Sequence, residues 1–148
     1  MAEAIVKSVT VPVSPKRAFT RFTHEIMRWW PIDKHSVSAG AGQIPQKVVI
    51  EARVGGAVYE IKHDGTRCEW GVVTQWAEPD GFTMTWHPGQ SNDMATQLEI
   101  AFIAAKDGTL VTLTHTGWDV LAERATEMRS HYSSGWDHVL GDCYAGKV

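Results

Sequence analysis

Residues 118–148, WDVLAERATEMRSHYSSGWDHVLGDCYAGKV, decide the fold. From Asp119 onward, Leu121, Ala125, Met128, Tyr132, Trp136, Val139, Leu140 and Cys143 recur at steps of three or four residues. That period lays them along one stripe of a single long amphipathic helix. Arg124, Glu127 and Asp137 fall mainly on the other side, and Asp119 is placed to cap the first turn. Gly135 inside this helix costs roughly 1 kcal/mol relative to Ala. Close approach of the sheet or of a neighbouring chain would justify it, and a break at Ser133-Ser134-Gly135 is the alternative reading. Everything between about Gln46 and Thr116 reads as strands. A lone helix after a run of strands is buried most economically across the concave face of a curved antiparallel sheet. The expected fold is therefore α+β, with a cleft or cavity between helix and sheet.

The strands follow from alternation and punctuation. Ala4 to Val13 alternate, with Ile5, Lys7, Val9, Val11 and Val13 on one side. Ser14 then reads as a helix N-cap with Pro15 at the first helical position. Ala18, Phe19 and Phe22 share one face of that short helix. A second short helix, HEIMRWW, ends before Pro31, which cannot continue it easily. Residues Ile32 to Gln46 are rich in Ser, Ala and Gly and read as a mobile loop, of a length that often serves as a lid. Six further strands follow: KVVIEARV, AVYEIKH, TRCEWGVVTQW, FTMTWH, ATQLEIAFIAA and TLVTLTHT. Gly55-Gly56, Asp64-Gly65, Pro79-Asp80-Gly81, Pro88-Gly89 and Lys106-Asp107-Gly108 separate them.

At 148 residues, one domain spanning 1–148 is expected, large enough for a hydrophobic core without disulfides or metals. A net charge of −3 with no block of like charges argues against nucleic acid as the main partner. No apolar stretch approaches membrane-spanning length, and the N-terminus does not read as a signal peptide. Cys68 and Cys143 lie far apart and show no metal spacing, so a cytoplasmic protein with reduced thiols is expected.

The order and spacing of several stretches resemble a known family. They are VSPKRAFTRFT, RWWP, ARVGGAVYE, GVVTQWAEPDGFTMTW, GTLVTLTHTGW and HYSSGWDHVL. Together they resemble the activator of heat shock protein 90 ATPase homologue family of the SRPBCC (START-like, Bet v-like) superfamily. The resemblance implies the helix-grip fold: a curved antiparallel sheet wrapped around a long C-terminal helix, with two short helices after the first strand. It also implies a cup for hydrophobic or aromatic ligands. Some relatives are cyclases or dehydratases, and many bacterial members are encoded beside small transcription regulators, which suggests stress or regulatory roles. The eukaryotic co-chaperone activators carry a further N-terminal domain for which this chain is expected to have no room. Chaperone activation is thus not expected from the family label alone.

The candidate site follows from alternation and from the tryptophans. Val111, Leu113 and His115 share a face, as do Leu98, Ile100 and Phe102. Ala57, Tyr59, Ile61 and His63 form an apolar-rich face of their strand, and Cys68, Trp70, Val72 and Trp76 a face of theirs. Glu60, Glu69 and Arg67 lie opposite and would enter the cup only if bulges flip the register. Trp29, Trp30, Trp70, Trp86, Trp118 and Trp136 are expected to supply stacking surface, with Tyr59, His63, His115 and Tyr132 as polar groups that orient a ligand. Three functions stand against one another. The first is binding of a small hydrophobic or aromatic molecule. The second is a protein-interaction or regulatory module, including a toxin-like partner of a small regulatory protein, with exposed tryptophans as anchors. The third is a cyclase or dehydratase using His63 or His115 as acid or base. A homodimer is compatible with all three. No catalytic triad, metal ligand set, phosphate loop or cofactor motif is present in the sequence pattern.

Overall fold

The computed structural model describes residues 3–147; Met1, Ala2 and Val148 of the expected 1–148 domain lie outside the described residues. Strand β1 (Ile5–Val11) leads into helix α1 (Pro15–Phe22) and a single 3-10 turn at Ile26–Arg28. A four-residue helix, α2 (Val37–Gly40), precedes β2 (Lys47–Ile50), β3 (Ala57–Ile61), β4 (Arg67–Ala77), β5 (Gly81–Trp86), β6 (Thr96–Ala105) and β7 (Gly108–Thr116). All seven strands form one antiparallel sheet in the order β1-β7-β6-β5-β4-β3-β2. The long C-terminal helical segment, residues 118–147, packs against its concave face, which is the helix-grip arrangement.

Local chemistry explains the entry into the fold. The Ser14 hydroxyl accepts from the Arg17 backbone N–H at 3.2 Å, and Pro15 occupies the first turn of α1. Ala18, Phe19 and Phe22 are buried, as their spacing requires. Arg17 holds Glu25 with two hydrogen bonds of 2.6 and 3.1 Å, tying α1 to the chain that follows. This arginine, with Arg21 and Arg28 nearby, draws the Glu25 carboxyl below its usual range.

Sheet curvature comes from two bulges in β4. Trp70 has no partner in β3, because Val58 pairs with Gly71 and Tyr59 with Glu69. Thr74 is passed over between Val73↔Met84 and Gln75↔Thr83. Such extra residues bend and twist a strand. At the first bulge the sheet is so tight that a Cβ on Gly71 would sit 1.9 Å from the Thr85 carbonyl oxygen, so only glycine fits.

Four expectations change. The run HEIMRWW forms one 3-10 turn instead of a helix. The Ser-Ala-Gly-rich segment is not a featureless loop but contains α2, whose N-cap Ser36 accepts from the Ala39 N–H at 3.0 Å. On β3 the buried side chains are Val58 and Glu60, while Ala57, Tyr59 and Ile61 are half-buried on the other face. On β4 the bulge turns Val73 inward and leaves Val72 exposed.

The terminal helix also departs from a uniform α-helix. Gly117, with φ +83°, turns the chain into a 3-10 stretch, Trp118–Arg124, interrupted at Ala122 (φ 51°, ψ −123°). Helix α3 (Ala125–Trp136) begins only after this interruption, and Asp119 does not cap it. Ser133-Ser134-Gly135 do not break it. Beyond Trp136 the turns widen into a π-helix, Asp137–Tyr144. The expected apolar stripe survives: Leu121, Ala125, Trp136, Val139, Leu140 and Cys143 are buried, and Met128 and Tyr132 pack partly buried against the core.

Candidate functional site

Between α3, the α2 loop and the strands β4 and β5 lies a cavity of about 480 Å³. This is within the range that holds a small organic ligand. Its walls are mostly apolar and aromatic. Trp30, Trp70, Trp86 and Trp136 are mutually packed at ring-centroid separations of 5.4–6.0 Å. Tyr132 and Met128 close the helix side, and Val37 with Pro88 and Gly89 the loop side. Lys34, His35, Gln90 and His131 bring polar groups.

Each wall tryptophan reaches its place by a different element, and three are held by their N–H. Trp30 donates to the His35 carbonyl at 2.7 Å. Trp70 donates to Glu60 Oε1 at 2.9 Å. Trp136 donates to His115 Nδ1 at 3.1 Å. The Trp86 N–H is buried and has no hydrogen-bond partner of normal geometry among the described residues.

Glu60 is fully buried, with four hydrogen bonds to its carboxylate. Oε1 accepts from the Val37 N–H at 2.7 Å as well as from Trp70, and Oε2 accepts from the Ser38 N–H at 3.1 Å and the Ser38 hydroxyl at 2.9 Å. One carboxylate thus ties the α2 loop to the sheet and sets the Trp70 indole. Buried charge is tolerated only when it is this well satisfied.

His115 is equally specific. Because Nδ1 accepts from Trp136, Nε2 carries the proton and donates to Thr96 Oγ1 at 2.6 Å; the threonine hydroxyl then donates to the Trp86 carbonyl at 3.2 Å. Burial pushes the His115 pKa down to about 3, so the ring is neutral at ordinary pH. Both ring nitrogens are engaged in the core.

The structure sorts the expected residues by place. Trp30, Trp70, Trp86, Tyr132 and Trp136 come together around the cavity. Trp29 lies in the core against Phe22 and Tyr144, its N–H donating to the Arg21 carbonyl at 2.9 Å. Trp118 lies in the core beneath His115, at a centroid separation of 4.2 Å. His115 stands behind Trp136, outside the cavity lining. Tyr59 sits on the opposite face of β3 under the Arg67 guanidinium, 3.8 Å from the ring centroid. His63 is exposed at the end of β3, 3.5 Å from the Ser38 hydroxyl, and does not line the cavity. The position of Tyr59 has a clear cause. An apolar count favours Tyr59 and Ile61 as the inner face, but donors from α2 and Trp70 satisfy Glu60 and draw it inward.

His35 and His131 are the histidines at the cavity, and sequence reasoning missed both. The His35 pKa is lowered, chiefly by burial, with His138 and Lys34 adding repulsion and Asp33 opposing. Burial raises the Tyr132 hydroxyl, offset in part by the neighbouring Trp86 N–H. Among the described residues no group of three His, Cys, Asp or Glu could hold a metal ion.

Seven antiparallel strands gripping one helical segment around an indole-walled cavity define a helix-grip cup domain. The family described as Activator of Hsp90 ATPase homolog 1-like protein matches residues 12–142, and the chain belongs to that family. A crystal structure of a Mesorhizobium loti protein is similar over 94% of this chain and 92% of its own, with a TM-score of 0.68 and 13% identity. The solution structure of the Aha1 dimer from Colwellia psychrerythraea is similar over 93% and 96%, with a TM-score of 0.57 and 16% identity. An anthrahydroquino-gamma-pyrone synthase, solved as a complex, is similar over 86% and 85%, with a TM-score of 0.60 and 28% identity. No curated protein sequence matches the chain. Among the described residues no helix is long and apolar enough to cross a membrane.

Proposed function

We propose that this domain, residues 1–148 acting as one unit, binds a small, flat, largely apolar aromatic molecule between its sheet and its C-terminal helix. The observation that carries this reading is the cavity of about 480 Å³ walled by four indoles. A core built only for stability would be packed to crystal-like density, whereas here the aromatic rings leave open space where contact would be. A ligand that fills it regains that contact. The similar synthase is named for an anthrahydroquino-gamma-pyrone, which agrees with an aromatic occupant. Acid–base catalysis by His115 fits less well, because its nitrogens are engaged behind Trp136. A regulatory outcome of binding, and a homodimer like that of the Colwellia psychrerythraea relative, are both compatible with an occupied cup. We place its action in the cytoplasm, where the unpaired thiols of Cys68 and Cys143 stay reduced.

A thermal-shift screen of lipids, sterols, flavonoids and polycyclic aromatics tests this, read alongside tryptophan fluorescence. A ligand at 100 times its dissociation constant adds about 2.7 kcal/mol of stability. Saturable quenching by flat aromatics is the expected result. Stabilisation by none of the classes would overturn the reading.

A further inference from the structure

Four indoles wall the cavity, and each brings one N–H. Three are engaged: Trp30 with the His35 carbonyl, Trp70 with Glu60 and Trp136 with His115. Trp86 is 5% exposed, and its buried N–H has no partner of normal geometry among the described residues. The half-buried Tyr132 side chain lies beside it on the same wall. The hydroxyl is close enough for its acidity to feel the indole N–H, yet the two groups are not aligned in a hydrogen bond of normal geometry. The Tyr132 hydroxyl likewise makes no hydrogen bond to the rest of the described protein. An unsatisfied buried donor destabilises the fold. Native proteins rarely keep one without a reason.

We propose that Trp86 and Tyr132 form a two-donor subsite for a carbonyl oxygen on the aromatic ligand. This rests on the binding function proposed above and narrows its ligand to flat aromatic ketones and related oxo compounds. The Trp86 N–H is shielded from solvent. Binding at this subsite requires the Tyr132 ring to turn so that its hydroxyl and the Trp86 N–H meet one acceptor. The carbonyl oxygen has two lone pairs and takes both hydrogen bonds without ionising. The ring system then lies against Trp30, Trp70 and Trp136. Placing two neutral donors on one carbonyl oxygen in an apolar site would also polarise the C=O bond. A fully apolar tricycle would offer the Trp86 N–H no acceptor and leave it unsatisfied.

The test uses two rigid tricycles that differ at one position, 9-fluorenone (C=O) and fluorene (CH₂). Their affinities are measured by tryptophan quenching for the wild-type protein, for Tyr132→Phe and for Trp86→Phe, with thermal melts to confirm that each variant is folded. The wild type is expected to bind the ketone about tenfold more tightly than the hydrocarbon. Tyr132→Phe is expected to cut that preference to about threefold and leave fluorene affinity unchanged, since this variant removes only the hydroxyl. Difference infrared spectra of bound fluorenone should show the C=O stretch moved to lower wavenumber in the wild type and moved back in Tyr132→Phe. Equal affinity for the two tricycles in the wild type would overturn the subsite while leaving aromatic binding in place. An unchanged ketone preference in both variants would overturn it as well. Binding of neither tricycle would count against the subsite and, together with a negative ligand screen, against the binding function itself.

Discussion

The concave face of the sheet has two ends built from aromatic residues, and only one of them is full. At the end covered by α1, Phe19, Phe22, Phe82 and Phe102 interdigitate with Trp76, Trp29 and Tyr144 at centroid separations of 4.9–5.9 Å, mostly edge to face. At the other end Trp30, Trp70, Trp86, Trp136 and Tyr132 surround a cavity. The division runs between adjacent residues, since Trp29 belongs to the closed end and Trp30 to the open one. Phenyl rings carry no polar atom and can rotate into whatever packing fills space. An indole whose N–H must meet a chosen acceptor is held in one orientation. Three such indoles, anchored to three different acceptors, form walls that do not collapse inward. The closed end therefore supplies stability and the open end supplies shape.

Four experiments test that contrast. The largest effect is expected at the closed end, where Phe19→Ala should cost about 3–5 kcal/mol in denaturant unfolding, with little change in the ligand affinity of the folded fraction. An affinity loss as large as the stability loss would mean the two ends are not separable. Next, Glu60→Ala should cost about 2–3 kcal/mol, since it strands the Trp70 N–H and the backbone donors of Val37 and Ser38. Here, unlike at Phe19, ligand binding should fall too, because a wall indole and the α2 loop lose their anchor. Urea melts paired with quenching titrations separate the two effects.

The third experiment concerns acid. The His115 pKa is lowered in the folded state, so the unfolded chain binds the extra proton first. Its contribution is complete above about pH 6.5 and is lost as pH falls towards about 3. By pH 5, above the range of ordinary carboxylates, the loss should be about 2 kcal/mol. His115→Gln should flatten the stability profile between pH 6.5 and 5, and an unchanged slope there would remove His115 from this role. The smallest effect is at the cavity mouth. A Cβ on Gly135 would meet only His35 Cε1, at an ordinary contact distance of 3.6 Å. Gly135→Ala should therefore stabilise α3 by up to about 1 kcal/mol, while its methyl narrows the cavity and weakens binding of large ligands. Melting temperature and affinity moving in opposite directions would show that this glycine serves the open end.

The sequence made the closed end legible and the open end only partly so. Alternation in β6 and β7 and the helical spacing of Ala18, Phe19 and Phe22 are local patterns, and each placed its residues correctly. The inward faces of β3 and β4 were not readable that way. On β3 a charged residue turns inward because distant donors wait for it, and on β4 an extra residue at Trp70 shifts the alternation. Neither cause is local. The same reason hid His35 and His131. His35 lies in the Ser-Ala-Gly-rich segment that carries no period, and His131 falls off the apolar stripe, yet both reach the cavity.

The π-helical stretch at Asp137–Tyr144 sits at the junction of the two ends. Its wider turns take more residues per revolution than the α-helix before it, so they reset the angular phase of everything that follows. Met128, Tyr132 and Trp136 answer to one phase, and Tyr144, which donates to the Ala18 carbonyl at 2.8 Å, answers to another. Substitutions upstream of that reset can remodel the lining without touching the clamp that holds the far end shut. One chain segment can thus change the lining of the open end over evolutionary time and keep its foundation, because the two tasks are written in different registers of the same helix.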